Sequence, residues 1–555
     1  MSQRQRAVVI VASLTLVAAM TACGRDDAAE STASDGMIEQ LVFPAEGQAS
    51  QGGLANYNVY APNPTLWNGL FEPLMIRNAL TCEIIPWLAT DYEWEGGDKL
   101  TFTIRDGVTW SDGTPFTAED VAFTLSVGKE YPGADRAGLW NDSFGAPAES
   151  VTVEGNKVVI TFTGNAVPKF EGIIGLQILP KHIYESVGDP TQYVDEKGIG
   201  TGPFTVASYN GRRLVLERRD DYWQADKIKV ERIVHEGQYE AAQASLKLRS
   251  GELDAYTGEI PNPQRSFVDA DPEHNHFFYA PAGMTVLTPN LTKAPFNDVK
   301  FREAIAYVMN KEEMSEKATY GIMKPASQSG LKLPYAAHFL PDRYTQEETI
   351  LPYDPARAEQ LLDAAGYRKG PDGKRTMPDG SPLSITFSVQ AGWIDYQAIA
   401  DVAVRSLNEI GIDTKLMPSA PESVDAQKKS GDFDLLLEYL HGGCDMARNL
   451  GSKLHSGQVP TETEVRSNVE RWNDPATDAT VDKLAASTDE AEQKELIGQL
   501  VDTMMTQFPV ISLLYAPDRL IYRTDKAVGW PSEEDPYIHP GARLVILTHL
   551  RAPES

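Results

Sequence analysis

TFTIRDGVTWSDGTPFTAEDVAFTLSVGKEY, from Thr101 to Tyr131, carries three kinds of local signal in one uninterrupted window. Leu100, Phe102 and Ile104 alternate with Thr101, Thr103 and Arg105, the period-two pattern of a half-buried strand, and Asp106-Gly107 supplies turn chemistry. Val108 and Trp110 resume the alternation before Ser111-Asp112-Gly113 turns the chain again. Thr117 stands three residues before Asp120, a spacing that lets the pair close the first turn of a helix carrying Val121, Phe123, Leu125 and Val127. Strand, turn, strand, turn and capped helix follow in that order.

Within this window RDGVTWSDGTPFTAEDVAFTL resembles the signature of the extracellular solute-binding proteins of family 5, the peptide/nickel type, which are external receptors of ABC importers. Other stretches resemble further markers of that family: Phe71-Glu72-Pro73-Leu74, Ile85-Pro86-Trp87-Leu88-Ala89 with Tyr92-Glu93-Trp94, Ile178-Leu179-Pro180-Lys181-His182-Ile183-Tyr184, and Gly200-Thr201-Gly202-Pro203-Phe204. Arg219 to Trp223 and Ser250-Gly251-Glu252-Leu253-Asp254 extend the resemblance. It implies an α/β, periplasmic-binding-protein-like fold with two lobes of mixed sheets and a hinge, in the type II large cluster with an extra domain. The expected division is a first lobe of residues 38–85, 199–283 and 518–555, an extra domain of that lobe at 86–198, and a second lobe at 284–517.

The bulk numbers agree with an exported binding protein. A chain of 555 residues is too long for one core. Its 79 acidic against 50 basic residues give a formal charge of -29, which argues against nucleic acid as a partner and mainly reports solubility. Arg4 and Arg6 precede the uncharged, mainly apolar run Ala7 to Ala22, so residues 1–22 read as a lipoprotein signal peptide. Met20-Thr21-Ala22-Cys23 resembles a bacterial lipobox, making Cys23 the expected lipidation site and residues 23–37 a flexible tether. The expected location is extracytoplasmic, anchored to the cell membrane by lipid. Cys82 and Cys444 remain; they could form one bridge, yet nothing in the sequence places them together, and two unpaired thiols is the preferred reading.

Several further elements follow from pattern. SVTVEGNKVVITF, residues 150–162, reads as a hairpin about Gly155-Asn156. A helix is expected to start at Asn297-Asp298 and to run to Met314, and another to open at Asp354-Pro355. Ile385 to Val389 and Gly431 to Leu437 read as strands, the second entering a cleft loop of Glu438 to Asp445. Tyr279-Ala280-Pro281 and Tyr515-Ala516-Pro517 are similar junctions that bracket one large domain, as two crossings between hinged lobes would.

No enzymatic constellation is present: there is no G-x-S-x-G, H-E-x-x-H, Walker A or paired C-x-x-C motif. His182 has no nucleophile or acid partner nearby in sequence and reads as a packing or capping residue. His274-x-His276 lacks the further ligands a metal needs, so no metal and no cofactor are expected. What remains is binding, in which two lobes close on a ligand and the loaded form docks on an ABC permease and ATPase complex, with the receptor a monomer. Peptide-binding relatives hold the free ammonium with an acid in the loop that here offers Asp445, beside Glu438 and Tyr439, although the usual motif of that loop is missing. Trp67-Asn68, Trp140-Asn141 and Trp393 lie in predicted loops, where an indole beside an amide suits a sugar's apolar face and hydroxyls. The stretches around Trp67 and Trp140 also resemble relatives that bind cello-oligosaccharides. An oligopeptide is the expected ligand, with an oligosaccharide as the alternative.

Overall fold

The computed structural model describes residues 36–45, 55–61, 69–142, 145–237 and 239–554. The signal peptide, Cys23, Trp67 and Asn68 therefore lie outside the described residues.

The window read first folds largely as its pattern demands. Leu100, Phe102 and Ile104 are the buried positions of the strand Lys99–Ile104. Trp110 is fully buried, and its N–H donates to the Thr114 carbonyl at 2.8 Å to close the second turn. The helix Ala118–Glu130 begins with the Asp120 carboxylate accepting from the Thr117 N–H at 2.8 Å and from its hydroxyl at 3.1 Å. The other Asp120 oxygen accepts from the Lys181 N–H at 3.0 Å, so one carboxylate caps a helix and joins it to the next segment. Lys99–Ile104 lies between Ala89–Glu95 and Lys157–Phe162 in a four-stranded antiparallel sheet that ends with Ala148–Glu154, the hairpin partner expected across Gly155.

A second four-stranded sheet runs Leu41–Pro44, Arg232–Glu236, Arg213–Arg218, Phe204–Tyr209, with the first pair parallel. The largest sheet has six strands, in the order Ala255–Tyr256, Ile511–Arg523, Asn275–Pro289, Leu435–His441, Ser384–Gln390, Asp413–Ser419. Its last three are mutually parallel, so helices such as Ile394–Glu409 must carry the chain back between them. Mixed sheets with such crossovers make a two-lobed α/β fold.

The apolar core is divided in two. One set of clusters draws its fully buried members from residues 38–280 and 520–550, the other from 284–515. Only Asn275–Pro289 and Ile511–Arg523 run through both sets. They pair antiparallel, and Pro281 stands opposite Pro517, with a register shift between Pro281 and Gly283. The two junctions expected to border the second lobe thus sit side by side on neighbouring strands.

Three local expectations need correction. Asn310 accepts from the Glu313 N–H at 3.1 Å and starts a new helix, Lys311–Thr319, so the helix from Val299 stops at Tyr307 instead of reaching Met314. The strand expected at Gly431 to Leu437 is Leu435–His441, so Glu438 and Tyr439 belong to a strand and not to a loop. Cys82 and Cys444 are disulfide-bonded across 362 residues of sequence, contrary to the expectation of free thiols. Sequence spacing could not show that pairing, because the two segments meet only through the packing of separate lobes.

Candidate functional site

In open α/β sheets ligands collect beyond the carboxyl ends of parallel strands, where crossover loops part. Here those ends are Pro44 and Glu236 in the first lobe and Gln390, Ser419 and His441 in the second. On the first-lobe side a cavity of 270 Å³ lies directly beyond Pro44, walled by Phe43, Tyr239, Tyr256, Leu520, Trp530 and Arg543. The Trp530 indole is fixed by a 2.9 Å bond from Nε1 to the Ala527 carbonyl and by stacking on Tyr522 at 5.4 Å. Gly258 makes room for the wall, since a Cβ there would stand 2.1 Å from the Tyr256 hydroxyl. A second cavity, of 390 Å³, is lined by Tyr60, Phe71, Arg136, Leu176, Gln177 and Leu544. The segment around Arg543 and Leu544 stands between the two.

At the strand crossing, opposite charges occupy consecutive positions. Asp518 pairs with His539 at 2.8 Å, and that bond holds its carboxyl below the usual range against the cost of burial. Arg519 reaches Glu259 at 3.8 Å and lies 5.9 Å over the Tyr279 ring. Burial pushes the Lys332 ammonium down to about 8, with Asp518 opposing the shift.

The second-lobe wall is built from Tyr396, Tyr439, His441 and Trp393. Tyr439 and His441 meet edge to face at 4.9 Å, as do Trp393 and Tyr396. Burial pushes the Tyr439 phenol up to about 12, and raises Tyr396 further, with Asp395, Tyr439 and Glu438 adding to the effect. Tyr439 crosses bare backbone, because a Cβ on Gly283 would lie 2.4 Å from its hydroxyl.

The residues named from sequence fall into different places. Trp393 is 47% exposed and stands at the N-terminus of the helix Ile394–Glu409. Tyr439 faces the crossing, and Glu438 is held by Lys428 at 2.9 Å. Trp140 is engaged in packing: Nε1 donates to the Leu125 carbonyl at 2.7 Å and Lys129 sits 4.7 Å over the ring. Asn141 donates to Asp135 at 3.1 Å and its carbonyl accepts from Lys169 at 2.9 Å. Asp445 caps the helix Met446–Leu454, accepting from the Arg448 N–H at 2.9 Å, and burial raises its carboxyl. His182 pairs with Asp112 at 2.9 Å against the edge of Trp110, a packing role as expected. His274 is held by Asp271 at 3.0 Å, and the described residues contain no group of three or more side chains able to hold a metal. Phe43, Tyr239, Tyr256, Trp530, Asp518 and Arg519 were not singled out in the sequence. Their one signal is position: Phe43 and Tyr239 flank strand ends, which becomes informative only once those strands are known to be parallel.

The molecule thus carries two aromatic walls and a charged strand crossing, and comparison gives the chain a family. Residues 83–458 match the family model of the bacterial extracellular solute-binding proteins, family 5 Middle, and the chain belongs to that family. It is a solute-binding protein and not an enzyme. It is 23% identical over 478 residues to the nickel-binding periplasmic protein of Escherichia coli, covering 83% of this chain and 87% of that one. It is 23% identical over 514 residues to di/tripeptide-binding protein 1 of Pseudomonas aeruginosa, covering 86% and 90%. Among solved structures, a periplasmic oligopeptide-binding protein of an oligopeptide ABC transporter from Thermotoga maritima superposes with a TM-score of 0.79 at 24% identity, over 93% of this chain and 99% of that one. Its mannohexaose-bound form gives 0.68 with the same identity and coverage. Among the described residues no helix is long and apolar enough to cross a membrane.

Proposed function

We propose that the protein is the substrate-binding component of an ABC importer and that it captures a short oligopeptide between its lobes. The observation that carries this reading is the pairing of Asp518 and Arg519 at the strand crossing, next to the aromatic cavity of Phe43, Tyr239, Tyr256 and Trp530. Asp518 suits a peptide's ammonium and Arg519, projecting from the other face of the same strand, suits its carboxylate, while the aromatic wall takes apolar side chains without reading them closely. Asp518, already in carboxylate form, takes over the ammonium role that sequence reading gave to Asp445. The division of the core supports lobes of 38–85, 199–283 and 518–555, with 86–198 as an extra domain, against 284–517, and a hinge at Pro281 and Pro517. Cys23 would anchor the mature chain to the outer face of the membrane, beside its permease and ATPase.

One observation favours an oligosaccharide instead: the Thermotoga relative was crystallised with mannohexaose, and an aromatic wall also stacks on sugar rings. Calorimetric titration with mixed tri- to pentapeptides, then with cello- and manno-oligosaccharides, separates the two. Heat with peptides alone supports the first reading. Heat with sugars alone replaces it.

A further inference from the structure

Besides the two strand crossings the lobes touch at further places, as where the Asn165 side chain donates to the Ala486 carbonyl at 3.0 Å, and at one of them the contact is covalent. Cys82 sits at the tip of the hairpin formed by Met75–Arg77 and Ile84–Pro86, in a left-handed conformation with φ of 65°. The hairpin is rooted in the first lobe. Met75 and Leu80 are buried in that core, Arg77 pairs with Glu171, and the Asn78 side chain donates to the Tyr537 carbonyl at 3.0 Å. The Cys82 side chain nevertheless packs against the second lobe's core and is bonded to Cys444, just beyond the strand Leu435–His441.

The surroundings show that this is a built junction. The Lys332 ammonium, from the second lobe, donates to the Ala79 carbonyl at the same hairpin tip. Tyr335 of the second lobe packs on the first lobe's core. Two residues before Cys444, the Gly442 N–H donates to the Ala282 carbonyl at 3.1 Å, at the irregular step where the crossing strand changes register. A Cβ on Gly442 would lie 2.6 Å from both that carbonyl and the Lys332 side chain, so the loop can settle there only as glycine. The bridge therefore stands beside the crossing, on the floor of the cleft.

Two adjacent strands joining two bodies leave freedom both to bend and to twist. A third fixed point, off the line of the first two, removes part of that freedom. We propose that the Cys82–Cys444 bridge is a covalent stop that limits how far the lobes open and keeps the loop His441 to Asp445 on the cleft floor, and that its reduction widens the open state. Reduction adds two electrons and two protons to the S–S bond, giving two thiols. A dithiol supplies them by becoming a disulfide; a phosphine supplies the electrons and becomes its oxide, with oxygen and protons from water.

The test uses the purified full chain without added ligand, so its outcome is independent of which solute the protein carries. Non-reducing peptide mapping first identifies the 82–444 cross-linked pair. Small-angle X-ray scattering and amide exchange are then compared for the oxidised chain, the same chain reduced with a water-soluble phosphine, and the Cys82→Ser/Cys444→Ser variant. The expected result is a larger radius of gyration in both bridge-free forms, to the same value, with about tenfold faster exchange at the amides of Gly283 to Thr285. Identical scattering and exchange in the three forms would overturn the proposal, as would free thiols at both positions in the oxidised chain. Loss of far-UV dichroism on reduction would overturn it too, by making the bridge a staple for the whole fold. Should the double variant fail to fold, the reduced wild-type chain still decides the matter.

Discussion

The window from Lys99 to Glu130 and the cleft walls solve opposite problems. In the window several polar groups find partners a few residues away, as the Thr117 N–H does in Asp120 and the Trp110 N–H in the Thr114 carbonyl. In the cleft the partners are remote: Asp518 meets His539, Arg519 meets Glu259, and Tyr439 needs the bare backbone of Gly283. Local satisfaction fixes a scaffold whatever the ligand. Remote satisfaction depends on segments far apart in sequence that only the complete fold brings together. The comparison predicts that substitutions in the first region cost stability and spare binding, and that substitutions in the second do the reverse.

The largest effect is expected for Trp110→Ala. It empties a fully buried site and should cost about 3–5 kcal/mol in denaturant unfolding, with ligand affinity unchanged in the fraction that remains folded. A loss of affinity larger than the loss of stability would break the comparison.

Glu72 comes next, as a scaffold group that titrates. It accepts from Trp87 Nε1 at 2.6 Å and from the Tyr222 hydroxyl at 2.7 Å, and burial pushes its carboxyl up from 4.5 to about 7 despite those bonds. A raised folded value means the folded chain holds the proton more tightly. Its contribution is full below pH 4.5 and is lost as pH rises to about 7, a total of about 3 kcal/mol. Glu72→Gln should flatten that part of the stability–pH curve; an unchanged slope would show that another group carries it.

In the cleft, Asp518→Asn and Arg519→Ala each remove one charge-assisted partner. Each should weaken binding of a tripeptide by about 10- to 100-fold in calorimetry, with melting temperature nearly unmoved. Equal peptide affinity in both variants would remove the basis of the zwitterion reading.

The smallest change expected is that of Asp120→Ala, about 1–2 kcal/mol for loss of the cap and of the bond from the Lys181 N–H, again without effect on the ligand. It sharpens the comparison by showing how little each local bond contributes where many act together.

The same contrast explains what was legible in the sequence. Thr117 and Asp120, the hairpin about Gly155, and Asp354-Pro355 could be read because cause and effect share one short window. Asp445 shows what spacing omits: an acid in a glycine-rich loop looks available, while the next residue begins a helix that uses it as a cap. Trp140 and Asn141 show the same limit: a tryptophan beside an asparagine suggests a sugar platform, and the fold also engages them with Leu125 and Asp135. Tyr239, Tyr256 and Trp530 went unnoticed because they converge from three separate segments onto one cavity. The Cys82–Cys444 pairing depends on two lobes docking, which no periodicity encodes.

The edge strand Asp413–Ser419 of the six-stranded sheet has a ladder partner on one side, and the Asn408 side chain takes up both the N–H and the carbonyl of Thr414 at 3.0 Å. Such an edge is a template on which a second polypeptide can add as a further strand. Lys415 would have to be desolvated by any newcomer, and Pro418 offers no N–H to the ladder. The residues that finish the sheet thereby discourage strand addition at its rim.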